Sequence, residues 1–144
     1  MSTISSSATL AEHKQVVQQF LDATHSGNFD VIDTLVAEHI VTHHFPGGKS
    51  PTSREEYKEF FRLWGQGVPR QEFAILAMVA ESDKVVVHYS ITGQHEGDLL
   101  GIPATGRQID FTGVAFYRME NGQIAETWLY PDTTTLLQQL GVLG

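Results

Sequence analysis

The stretch "TGQHEGDLLGIPATGRQIDFTGVAFYRM", Thr92 to Met119, decides how the chain folds. It reads as two strands joined by a long turn that Gly97, Gly101, Pro103 and Gly106 punctuate. His95 stands at the end of the first strand and Asp110 near the start of the second. Working outward, "QEFAILAMVAES" and "KVVVHYSITGQ" precede the turn as strand-like runs, and "QIAETWLY" follows as another. Ser82-Asp83 and Asn121-Gly122 supply tight hairpin turns, Asn-Gly being the strongest short-range hairpin signal. The second half of the chain is therefore expected to be a four-stranded antiparallel meander.

The first half reads as helices. Thr9 to Glu12, "TLAE", has the form of a capping box, and Val16, Val17, Phe20, Leu21 and Ala23 follow at helical spacing. This predicts a helix over about residues 10–25 that stops at Gly27. Asn28 is placed to cap a short second helix carrying Val31, Ile32, Leu35 and Val36. "HIVTHHF" has the β-branched character of a short strand. "SREE", Ser53 to Glu56, caps a third helix whose apolar face holds Tyr57, Phe60, Phe61 and Trp64. A last helical piece, "DTTTLLQQLG", takes Asp132 or Thr133 as its cap and Gly141 as its stop. Helices on one face of a curved antiparallel sheet make an α+β domain with a cone-shaped cavity between the layers. One domain spans residues 1–144, with residues 1–8 expected to be flexible.

Composition narrows the function classes. Of 144 residues, 41% are apolar and 18% charged, enough to bury a core. A formal net charge of −8, with only nine Lys and Arg, argues against nucleic-acid binding. No cysteine is present, which removes thiolate chemistry and disulfides. No apolar run approaches the roughly 18 residues that span a bilayer. The expectation is a cytoplasmic protein without a membrane partner.

The order of elements resembles the NTF2-like cone fold, and the motifs resemble its SnoaL-like polyketide cyclase, or ester cyclase, branch. The matching run is "HEGDLLGIPATGRQIDFTGVAFYRMENGQIAETWLYPDTTTLLQQLG", ending at Gly141. The resemblance implies a ring-closing enzyme without metal or organic cofactor, in which a carboxylate moves protons at an activated methylene. In that family the cyclase aspartate lies on the last strand, seven residues after the hairpin glycine. Here that position is Leu129. The histidine seven residues before the glycine falls on Ala115. Neither can move a proton, so the chemistry is expected from other residues.

Strand parity sorts them. If Leu129 faces the cavity, so do Thr127 and Ala125, while Glu126, Trp128 and Tyr130 face outward. Ala115 shares its face with Phe111, Gly113 and Tyr117, which makes Tyr117 a cavity hydroxyl. Phe60 and Trp64 are candidate walls. His43 and His44 are adjacent, so only one can face inward, as an acid/base or a substrate hydrogen bond. His95 is the leading candidate proton carrier, with Asp110 as a base or orienting partner; the structural alternative is that His95 pins its loop. His88 reads as structural. His13, His25 and His39 read as helix-surface or helix-end residues. Glu126 and Arg118 are expected to pair across the hairpin. No three histidines fall at chelating spacing, so no metal site is expected.

Two classes of function follow, and a third stays open. One is a cofactor-free cyclase, isomerase or hydrolase acting on a small hydrophobic, polyketide- or terpenoid-like substrate. The second is a small-molecule binding module with an apolar cavity. The third is an interaction domain that dimerises through its outer sheet face, where Trp128 and Tyr130 would sit. A homodimer is expected in any of these.

Overall fold

The computed structural model describes residues 7–142. Helix α1 (Ser7–Ser26) presents Val17, Phe20, Leu21 and Thr24 to the interior at steps of three and four. It opens at Ser7, so Thr9 lies within its first turn and the expected capping box at Thr9 does not mark its start. Residues 1–6, most of the segment expected to be flexible, lie outside the described residues. Gly27, at φ 82°, ends the helix. A 3-10 turn (Phe29–Val31) and a one-turn helix α2 (Ile32–Leu35) follow. Asn28 precedes them but makes no side-chain cap, contrary to the sequence expectation.

Strand β1 (Val36–His43) leads to helix α3 (Arg54–Gly67). Here the cap is as read: Ser53 Oγ accepts from the Glu56 amide at 3.2 Å, and the Glu56 carboxylate accepts from the Thr52 amide at 2.9 Å. Strands β2 (Glu72–Glu81), β3 (Lys84–Gln94), β4 (Gln108–Glu120) and β5 (Gln123–Pro131) form the meander, and helix α4 (Thr133–Gln139) closes the described chain. Asp132 caps α4, accepting from the Thr135 amide at 3.1 Å.

The sheet order is β1-β5-β4-β3-β2. The β4–β5 turn has positive φ at both Asn121 (53°) and Gly122 (76°), the geometry that Asn-Gly favours in a two-residue hairpin. β1 pairs with β5 in parallel, extending the meander to five strands. Register shifts between Ile75 and Ala77 and between Arg118 and Met119 add residues on one strand of each pair. Such bulges bend a sheet, and this one curls around α1 and α3. The core lies in the concavity. Phe20, fully buried, stacks on Tyr57 with ring centroids 5.3 Å apart and meets Phe61 and Tyr117 edge-on.

Candidate functional site

Between α3 and the mouth of the curled sheet lies an apolar hollow of about 50 Å³. α3 supplies Phe60, Phe61 and Trp64, and α1 supplies Leu21 and His25. From the sheet come Phe73, Tyr89, Phe111, Tyr117 and Leu129. The strand parity read from the sequence places Tyr117 and Leu129 correctly, because no bulge intervenes between Gly113 and Arg118 on β4. Ala115 and Leu129 are direct cross-strand partners. The two positions where the resemblance implies a histidine and an aspartate thus stand side by side on the concave face, and both are apolar.

Thr127 also faces inward, but its hydroxyl is used. It shares a 3.0 Å hydrogen bond with the Tyr57 hydroxyl, and both side chains are buried. Burial pushes the Tyr57 phenol up. The Tyr89 and Tyr117 phenols are also pushed up by burial, so both are neutral donors at pH 7. Neither hydroxyl has a hydrogen-bond partner among the described residues.

His25 is the site residue that the sequence reading assigned to a helix end. Its ring lines the hollow. It stacks on Phe73 at 3.9 Å and meets Phe61 edge-on at 6.0 Å. Nδ1 lies 2.9 Å from the Leu21 carbonyl, which can only accept, so this nitrogen carries the proton. Desolvation lowers the imidazole pKa to about 4, against the opposing pull of that carbonyl and of Asp22. At pH 7 the ring is neutral. A signal was present: His25 stands four residues after the inward-facing Leu21, on the same helical stripe.

Four expected candidates, His95, Asp110, His43 and His44, do not reach the hollow. His95 is fully buried inside the 95–107 loop. Its Nδ1 accepts from the Thr105 amide at 3.1 Å, so Nε2 carries the proton and donates to the Ile102 carbonyl at 3.2 Å. The loop is folded onto the end of α3, where the Glu96 and Gly97 amides donate to the Gly67 carbonyl. His95 therefore holds the loop together, as the structural alternative had it, and both its nitrogens are occupied. We expect His95→Leu to cost about 1–3 kcal/mol, the penalty for leaving buried loop groups without partners. Urea denaturation checks this; a midpoint equal to wild type would contradict it.

Asp110 is exposed and pairs across the sheet with Thr92, not with His95. Its neighbours Ile109 and Phe111 are the residues turned inward. Its backbone instead anchors α4: the Asp110 amide donates to Gln139 Oε1 and its carbonyl accepts from Gln139 Nε2, each at 2.8 Å. His43 faces the convex side of the sheet. It stacks on Trp128 at 5.1 Å and places Nε2 at 2.7 Å from Glu126 Oε2. The expected Arg118–Glu126 pair is present at 2.9 Å, and His43 extends it. The His43 hydrogen bond, and then Arg118, hold the Glu126 carboxyl below its ordinary range against the cost of partial burial. His44 leaves the strand at φ 64° and stacks on Tyr130, so neither histidine of the pair turns inward. His88 is exposed mid-strand and does not line the hollow.

Among the described residues no three His, Asp or Glu side chains gather at metal-binding distance. No helix among them is long and apolar enough to cross a membrane.

A curled sheet closed by helices around an apolar hollow is a cone architecture. The chain belongs to the SnoaL-like polyketide cyclase family, whose model it matches over residues 14–140. Its fold is the NTF2-like cone shared with that family's structures. It is similar to TsrD from Streptomyces laurentii, at 26% identity and a TM-score of 0.83, over 92% of this chain and 97% of that one. It is similar also to IdmH from Streptomyces antibioticus, at 26% identity and a TM-score of 0.77, over 90% and 99%. A SnoaL-like polyketide cyclase from Agrobacterium tumefaciens, at 19% identity and a TM-score of 0.75 over 90% and 98%, shares the fold. Among curated proteins none matches the sequence.

Proposed function

We propose that the chain is a cofactor-free enzyme that performs general acid/base chemistry on a small hydrophobic substrate in the hollow. The observation that carries this reading is the hollow's polar content. Its walls are aromatic and aliphatic, and they offer one neutral imidazole and two unpaired phenol hydroxyls. An acceptor and two donors in a dry site are the parts that proton transfer next to a carbonyl needs. Leu129 stands where the family resemblance implies the aspartate and Ala115 where it implies the histidine, so this reading assigns the proton chemistry to the imidazole and phenols instead. The reaction type within the cyclase, isomerase and hydrolase range is set by the substrate.

The test is hydrogen–deuterium exchange. A panel of neutral apolar β-diketones is incubated with protein in D2O, and loss of the α-proton signal is followed by NMR. Exchange faster than the buffer rate, abolished in the Tyr89→Phe/Tyr117→Phe double variant, is expected. No exchange with any member would favour the binding-module reading. The apolar lining favours that second reading, since Leu129 brings no proton carrier to the hollow.

A homodimer through the convex sheet face is part of the same proposal. One rung crosses all five strands there: Val79, Val86, Phe116, Trp128 and His43. Val79 is 61% exposed and Phe116 38%, too apolar a row to leave wet. Sedimentation at micromolar concentration is expected to show twice the chain mass, and Phe116→Glu to halve it. A monomeric wild type would contradict the proposal.

A further inference from the structure

We propose that His25 is the polar anchor of the hollow, its Nε2 accepting a hydrogen bond from the hydroxyl of a neutral phenol or enol. This rests on the hollow being the ligand site, but not on any reaction occurring there.

The geometry leaves one role for that nitrogen. Nδ1 is committed to the helix, with the Leu21 carbonyl at 2.9 Å and the Thr24 hydroxyl at 3.0 Å. The neutral ring therefore carries its lone pair on Nε2, and no described protein group meets it. The ring plane is fixed by the Phe73 stack, which continues to Tyr89 at 5.5 Å. An imidazole fixed both in tautomer and in plane presents an acceptor of set direction. A lone-pair acceptor demands a donor, so an ether in the same place gains nothing. A carboxylate is worse off, because no Lys or Arg lines the hollow and the anion would face a lone pair in an apolar site. Aromatic walls add a preference for flat ligands. The class selected is a neutral, planar molecule with a hydroxyl at its edge. Tyr89 and Tyr117 remain to donate to any carbonyl it carries.

The probes are 2-naphthol, 2-methoxynaphthalene and 2-naphthoate, which share a ring system and differ in one group. Binding to the full chain is measured by fluorescence. Wild type is expected to bind 2-naphthol about three- to tenfold tighter than 2-methoxynaphthalene, the worth of one net hydrogen bond, and 2-naphthoate most weakly. His25→Phe keeps the stack on Phe73 and is expected to bind the two neutral probes equally. A second readout needs no variant. Long-range proton–nitrogen spectra of histidine-labelled wild type should show His25 protonated on Nδ1 at pH 7, with its Nε2 signal moved by 2-naphthol and not by the ether. Equal binding of naphthol and ether by wild type, or an Nε2-protonated ring, would overturn the proposal. So would a preference for naphthol that survives His25→Phe. Loss of the diketone exchange with the naphthol preference intact would remove the enzyme reading alone.

Discussion

Phe20→Ala is expected to lower the unfolding free energy by about 3–5 kcal/mol, the range for emptying a buried aromatic site. Phe20 has no exposed surface, and its ring is the hub beneath the hollow. It stacks on Tyr57 and meets Phe61 and Tyr117 edge-on, joining both main helices to the centre of β4. The void cannot close by a local shift, because Tyr57 is tied to Thr127 and Tyr117 is fixed by the sheet register. A domain of this kind has about 5–15 kcal/mol in all, so this single change removes a large share. Urea unfolding followed by circular dichroism measures it. A loss below about 1 kcal/mol would mean that the rings repack freely, which is contrary to the close packing of protein interiors.

Leu129→Asp is the second large effect, and it tests how dry the hollow is. The substitution removes apolar contacts, worth about 2–3 kcal/mol, and installs a carboxyl with no lysine or arginine among the lining residues. Desolvation should raise its folded-state pKa above the unfolded value near 3.9. A carboxyl raised on folding is better tolerated when protonated. The variant's deficit relative to wild type should therefore be smallest below about pH 4 and grow as pH rises through the unfolded pKa, levelling off above the folded one. Every tenfold gain in the carboxylate's proton affinity on folding adds about 1.4 kcal/mol to the deficit at neutral pH. Paired urea titrations at pH 4 and pH 7 would show it. An equal deficit at both would mean that water reaches position 129.

The fold was legible where the signal is local. Asn121-Gly122 named its own turn, and Ser53 with Glu56 named the start of α3. Alternation along Phe111, Gly113, Ala115 and Tyr117 named the inward face of β4, because the side-chain period is fixed at two. What was not legible depends on distant partners. That β1 lies parallel to β5 follows from how the whole sheet curls, and no short window of "HIVTHHF" carries it. The same pairing turns His43 toward Glu126 and Trp128 on the convex side. The end of β3 was placed well, but the fate of His95 was decided by Thr105 and Ile102, backbone groups of a loop whose path glycines leave open. Thr9-to-Glu12 shows the opposite failure, a local motif that the helix overran. His25 was missed because a polar residue at a helix end reads as surface. Only its spacing from Leu21 indicated otherwise.

The pocket assignment requires that ligands enter the hollow and not the convex face. Methyl-labelled protein titrated with naphthalene separates the two. Leu21, Leu129 and Leu136 line the hollow, whereas Leu76 and Val79 are exposed hydrophobics away from it. Ring-current shifts at the first three, saturating together, with Leu76 and Val79 unmoved, are the expected result. Shifts confined to Leu76 and Val79, with the hollow silent, would contradict it.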